Sequence, residues 1–342
     1  MYSNSIFQIV RPAIIGLLAF LASLLLPACV EMEDHDNTPR GNFETLWRIM
    51  DERYCFFEYK EVDWNDIHNK YSKRIDNNMN QESLFMLLDE MLQELKDGHV
   101  NLFSPFDVGR YWKWYEDYSD NYDDKLIRDY YLGTDYQIAG GLRYKVLEDN
   151  VGYLRCSDFS AGMGETNLDY IIDKFSLCSG IIIDVRGNGG GLLSNSDRLA
   201  ARFVNEKTLV GYIQHKTGKG HNDFSEPYPK YIEPSGRLRY QKPVIVLTNR
   251  RCYSATNDFI NAMRLFPNVT ILGDRTGGGG GLPFSSELPN GWSVRFSASP
   301  SFDANMQQIE FGIEPDISVD LLDDDVRAGR DTMIETAREM LK

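Results

Sequence analysis

Positive charge is scarce in this sequence. Its 342 residues hold 36 lysines and arginines against 51 aspartates and glutamates, a formal net charge of −15. Phosphate backbones are bound through clustered lysine and arginine, so the deficit argues against a nucleic-acid partner, and no basic stripe offsets it. Cysteine and histidine are equally sparse, five of each, and none falls in a C-x-x-C or H-E-x-x-H pattern. Neither a disulfide scaffold nor a metal site is supported, and no cofactor is implied. Buried free thiols are expected at Cys55, Cys156, Cys178 and Cys252. No glycine-rich turn is followed by Lys-Ser or Lys-Thr, and no G-x-G-x-x-G opens a helix, which excludes the common nucleotide loops. The apolar run Ala13 to Leu26 is too short for a bilayer-spanning helix and has the length of a signal-peptide core. With 42% hydrophobic and 25% charged residues the chain reads as globular.

The stretch that organises the rest is Pro243 to Phe266. Val244 to Leu247 is a continuous apolar run with β-branched residues, the pattern of a buried parallel strand. After Thr248-Asn249-Arg250-Arg251 the apolar spacing becomes helical, through Phe259, Ile260, Met263 and Phe266. Ser254 therefore stands where a strand turns into a helix, at the sheet edge where open α/β folds bind ligands. It reads either as a nucleophile beside the unpaired first-turn amides or as a plain N-cap, with Thr256 and Asn257 as rival caps. A second strand, Ile181 to Ile183, runs into Asp184-Val185-Arg186 and the turn Gly187-Asn188-Gly189-Gly190-Gly191. Consecutive amides in such a turn form an anion-binding nest.

Together these stretches resemble the catalytic core of peptidase family S41, which holds the C-terminal processing peptidases and the tricorn core protease. The matching motifs are Asp184 to Gly190, Ser254-Ala255-Thr256-Asn257, Gly273 to Gly279 and Gly312-Ile313-Glu314-Pro315-Asp316-Ile317. The resemblance implies an α/β fold, a ClpP/crotonase-like catalytic core with an N-terminal helical subdomain. It implies Ser254 as nucleophile and an oxyanion hole from the amides of Gly189 or Gly190 together with Ala255. In the processing peptidases the lysine of a Ser–Lys dyad occupies the position that is Gly279 here. The tricorn-like branch uses a histidine from the helical region, which directs attention to Asp97-Gly98-His99. The resemblance implies His99 as the base and Glu314 as the acid that orients it, with Asp316 as the alternative. A serine beside the histidine relays that contact in the tricorn-like arrangement, whereas here the neighbour is Gly98. The function implied is a serine endopeptidase acting on peptides or proteins. The alternative is a non-catalytic ligand- or peptide-binding module on the same scaffold.

Residues 1–28 read as a signal peptide. Leu26-Pro27-Ala28-Cys29 resembles a bacterial lipobox, which implies lipidation at Cys29 and an outer-membrane lipoprotein facing the periplasm or the cell surface; a conventional signal peptide is the alternative. Residues 29–40 form an acidic tether. Residues 41–103 read as a helical subdomain of three amphipathic helices. Residues 104–140 are an aromatic-rich insertion, too short for the PDZ domain of many processing peptidases. Its rings either line a groove or pack as a cap. Residues 141–342 form the core. Within that core, Gly218 to Pro234 and Thr276 to Pro283 read as loops, and Val326 to Leu341 as one C-terminal helix.

Overall fold

The computed structural model describes residues 36–342, so the calls on the signal peptide and on Cys29 lie outside the described residues. From Asn37 to Lys342 the chain forms one compact unit. Its first helix, Pro39–Arg53, starts at a proline, and the Thr38 hydroxyl accepts from the Gly41 N–H. Helix Gln81–Gln93 is capped in the same way by Asn80. Phe43, Leu46 and Met50 of the first helix and Leu84, Leu88 and Met91 of the second bury their apolar stripes in one cluster.

Two sheets follow. The smaller is antiparallel and contains β1 (Asn101–Phe103), β2 (Val108–Arg110), β7 (Thr208–Ile213), β8 (Tyr228–Ile232), β11 (Gly281–Glu287) and β12 (Ser293–Asp303), in the order β2-β1-β12-β7-β8 with β11 also on β12. Val294 and Phe296 of β12 pack into the helical cluster. The N-terminal helices are therefore sealed onto a sheet whose strands come from both ends of the chain.

The larger sheet contains β3 (Gln137–Ala139), β4 (Leu142–Val146), β5 (Gly152–Arg155), β6 (Ile181–Asp184), β9 (Val244–Thr248), β10 (Val269–Gly273) and β13 (Ile317–Ser318), in the order β13-β10-β9-β6-β5-β4-β3. It is parallel from β13 to β5 and antiparallel beyond. Every residue of β6 and β9 is buried, as the unbroken apolar runs require of strands covered on both faces. Helices Glu165–Phe175, Leu193–Ala200 and Ala255–Met263 cover one face, and Thr332–Met340 covers the other.

Three segments differ from expectation. The region read as a loop from Gly218 to Pro234 contains β8, which hydrogen-bonds β7. The glycine run ends in β11 at Gly281, and a register shift between Leu282 and Pro283 accommodates the proline. The C-terminal helix is broken into Asp323–Arg327 and Thr332–Met340. Gly329 takes φ +74° there, and Asp331 restarts the helix by accepting from the Ile334 N–H while gripping Arg186.

Candidate active site

β9 ends at Thr248, and helix Ala255–Met263 begins seven residues later. Ser254 sits between them at φ 58°, ψ −123°, and its side chain makes no capping bond. A non-glycine residue held there costs about 1–3 kcal/mol, which the surrounding structure must offset. The Ser254 N–H donates to the Gly278 carbonyl at 2.9 Å, and the Ser254 carbonyl accepts from Asp258 N–H at 3.0 Å. The strained turn aims the hydroxyl out of the helix toward His99, whose Nε2 lies 2.9 Å from Ser254 Oγ.

His99 reaches the serine from the opposite sheet, just ahead of β1. It is 3% exposed. Burial pushes its pKa down to about 4; the Asp97 carboxylate opposes this, and the charges of Arg295 and Lys60 add to it. The imidazole is therefore neutral at physiological pH. Its Nδ1 is buried and has no hydrogen-bond partner among the described residues. The Asp97 carboxylate instead accepts from the His99 backbone N–H at 2.8 Å.

Glu314 is not brought to His99. Its side chain is 69% exposed and pairs with Arg275 at 3.3 Å. Asp316 accepts from the Ile271 N–H at 2.8 Å, fixing the start of the last strand. The acids buried near His99 are Asp97 and Glu310. Lys60 is 2.7 Å from Glu310 and 3.4 Å from Asp97. Asp97 Oδ2 also accepts from the hydroxyls of Tyr54 at 2.9 Å and Ser297 at 3.0 Å. Burial raises the Glu310 pKa to about 7; Lys60 counteracts it and Asp97 adds to it. Burial alone would lower the Lys60 pKa, but the two carboxylates outweigh it and leave it above the ordinary value.

Tyr253 explains two glycines. Its ring lies 4.9 Å from that of His99 and stacks on Trp114 at 4.2 Å. A Cβ at Gly279 would come within 2.6 Å of the Tyr253 ring, and Gly279 has φ +81°. The position of a processing-peptidase lysine is thus closed to any side chain. A Cβ at Gly98 would come within 2.6 Å of Trp114 and 2.9 Å of the Tyr253 hydroxyl. That crowding accounts for the absence of a serine beside the histidine. Trp114 belongs to the aromatic-rich segment, and its neighbours clamp the same loop: Arg250 lies over Tyr118 and Arg251 over Tyr115.

The glycine turn after β6 faces the serine. Gly190 has φ +108°, and a Cβ on it would meet Ser254 Cβ at 2.9 Å. The Gly190 N–H donates to the Asn188 side chain at 2.9 Å. Among the described residues no hydrogen bond engages the N–H of Gly189 or Ala255, so these two amides are the ones left to meet an anion. No group of three histidine, cysteine or acidic side chains converges as metal ligands among the described residues. Cys252, two residues before the serine, is buried and free, and burial raises its thiol to about 12, a state without nucleophilic thiolate.

Sequence reasoning brought Ser254, His99 and the glycine turn to notice and gave Trp114 only as one ring of the aromatic-rich insertion, but missed Lys60, Glu310 and Tyr253. The available signal was Glu310 itself, an acid between apolar neighbours two residues before Gly312 in the last motif.

A family model described as Peptidase family S41 matches residues 150–319, and one described as Tricorn protease C1 domain matches residues 35–93. The carboxy-terminal processing protease CtpA of Bacillus subtilis is 24% identical over 179 residues, 52% of this chain and 36% of that protein. The tricorn protease homolog of Saccharolobus solfataricus is 29% identical over 170 residues, 47% of this chain and 14% of that protein. The chain thus spans well under half the length of these relatives. A crystal structure of a candidate peptidase from Parabacteroides merdae is 59% identical, covers 90% of this chain and 97% of its own, and superposes with a TM-score of 0.86. Mature CPAF in complex with lactacystin, 13% identical and covering 89% of this chain and 97% of its own, shares the fold with a TM-score of 0.70.

Proposed function

Because the chain belongs to peptidase family S41, we propose that it is a serine peptidase in which His99, rather than a lysine, activates Ser254. The observation that carries this reading is the 2.9 Å contact between Ser254 Oγ and His99 Nε2 at a strained strand-to-helix turn. A serine hydroxyl is a weak nucleophile until a base takes its proton. Neutral His99 does so as Oγ attacks the substrate carbonyl. The oxyanion that forms is met by the N–H groups of Gly189 and Ala255, the latter at a helix N-terminus. His99 then passes its proton to the leaving amine. The acyl-enzyme is hydrolysed by water activated by the same imidazole. Asp97 acts as a positioning residue: it holds the His99 backbone, and its charge favours the imidazolium that forms. Glu314 has no part in this scheme.

Peptide turnover tests the reading. Wild-type protein should cleave members of a mixed peptide library and be labelled by a fluorophosphonate, one equivalent at Ser254, while Ser254→Ala does neither. Absence of both cleavage and labelling in the wild type would leave the binding-module alternative.

The reading extends to location. We propose lipid anchoring through Cys29, supported by the sequence Leu26-Pro27-Ala28-Cys29. Cys29→Ser should move the protein from the membrane fraction to the soluble one. Unchanged membrane association would overturn the anchor.

A further inference from the structure

Strand residues alternate between faces. On β12, Val294 and Phe296 enter the helical core, whereas Ser297 turns the other way and donates to Asp97. Arg295 shares the Ser297 face. Arg110 of β2, Asn101 of β1, Arg295 of β12 and Ser285 of β11 stand opposite one another in register. The two arginines therefore flank Asn101 on one face. His99, two residues before Asn101, and Ser297, two residues after Arg295, lie on the same side of this row, about 7 Å away at strand spacing. The Arg295 charge is felt at His99, and the charge of Asp97 is felt at Arg295.

What sets Arg295 apart is its lack of company. Among the described residues it has no ion pair and no side-chain hydrogen bond, although it is only partly exposed. Arg110 lies over the Trp112 ring at 4.8 Å, likewise without an ion pair among the described residues. Glu287, opposite Ser293 one row farther out, pairs with neither. In a chain with 51 acids to 36 bases, acids are available to cover a guanidinium, yet these two are left open. A guanidinium presents a planar fork that matches a carboxylate, whereas the Asn101 amide between the two arginines is already committed, donating to the carbonyls of Val100 at 2.9 Å and Gly98 at 3.4 Å.

We propose that Arg295, with Arg110 beside it, is a carboxylate-recognising subsite, and that the chain takes peptides carrying a carboxylate about two extended residues from the scissile bond. The substrate role rests on the peptidase reading above; the binding preference does not. The carboxylate is an acidic side chain or the peptide's own C-terminus, and both present the same chemistry to Arg295.

The test separates the two sources and also separates this proposal from catalysis. The probes are fluorescein-labelled nonapeptide mixtures, random except for a fixed Glu or Gln at one position, each made as free acid and as C-terminal amide. Binding is read by anisotropy on the full chain carrying Ser254→Ala, alone or with Arg295→Ala, Arg295→Gln or Arg295→Lys. The Ser254→Ala chain should hold Glu over Gln, or free acid over amide, by at least fivefold. The preference should vanish with Arg295→Ala and Arg295→Gln and return in part with Arg295→Lys. Which pair of probes shows it identifies the source. Equal binding of all probes, no binding, or a preference that survives Arg295→Ala overturns the subsite. Hydrolysis by the wild-type chain is scored separately, so failed turnover with intact preference counts against the peptidase reading alone.

Discussion

Arg186 and Lys60 each lie buried against two carboxylates, but the two clusters are balanced differently. Arg186 faces Asp184 at 2.7 Å and Asp331 at 2.9 Å, and Arg155, also buried, donates to the Asp184 carbonyl at 3.0 Å. Two guanidiniums therefore offset two acids. Burial would raise the Asp184 pKa, yet Arg186 holds it below the ordinary carboxylate value. Lys60 alone faces Asp97 and Glu310, and burial, with the Asp97 charge adding to it and Lys60 opposing it, raises the Glu310 pKa to about 7. The first cluster ties the glycine turn to the C-terminal helix, with Asp184 held below the ordinary carboxylate value and Asp331 raised above it by burial. The second lies behind His99 and changes its protonation around neutrality. A buried ion pair is thus a lock or a titratable support according to whether its charges cancel.

Breaking the lock should give the largest effect. Asp331→Ala leaves Arg186 with one partner fewer and removes a helix cap, so urea unfolding should show a loss of about 3–5 kcal/mol. Lys60→Met should cost about 3 kcal/mol at pH 8, where two acids face each other unpaired. Its penalty should shrink below pH 7 as Glu310 takes up a proton.

Two groups then give opposite slopes of stability with pH. Glu310 binds its proton more tightly folded than unfolded, so its contribution falls as pH rises from about 4.5 to about 7. His99 binds its proton less tightly folded, so its contribution falls as pH drops from about 6.5 to about 4. Between pH 4.5 and 6.5 they oppose each other. Unfolding curves across pH 4–8 should gain an uncompensated slope of one sign in Glu310→Gln and of the other in His99→Phe. The smallest effect belongs to Glu314→Gln. The exposed pair with Arg275 is worth at most about 1 kcal/mol, and kcat/KM should stay within about twofold of wild type.

How much of this was legible differs from residue to residue. Ser254 was visible because a change from apolar run to helical spacing marks a strand-to-helix turn. His99 was visible only through the Asp97-Gly98-His99 motif, since its partner lies 155 residues away. The support behind it was not legible. Lys60 sits in the acidic stretch Glu58-Tyr59-Lys60-Glu61 and looks like a surface lysine; it is buried only because the helical region closes onto β11 and β12. Glu310, two residues ahead of the last motif, was passed over for the exposed Glu314 within it, because spacing does not report depth. Gly98 and Gly279 read as missing functional groups, whereas Tyr253 and Trp114 fill the space where side chains would stand. The C-terminal helix was overextended because its break depends on Asp331 reaching Arg186 across the sheet.

The claim that His99 is the base for Ser254 is tested most directly by the rate of fluorophosphonate labelling at Ser254 from pH 3.5 to 9, in wild type and in His99→Ala. The sequence alone suggests an inflection near 6–7, the ordinary range of imidazole. Burial moves it down to about 4, so wild-type labelling should rise through that pH and be near its plateau by about pH 5. His99→Ala should label at least about 1000-fold more slowly across the whole range. Labelling of His99→Ala at the wild-type rate, with the same pH profile, would contradict the assignment.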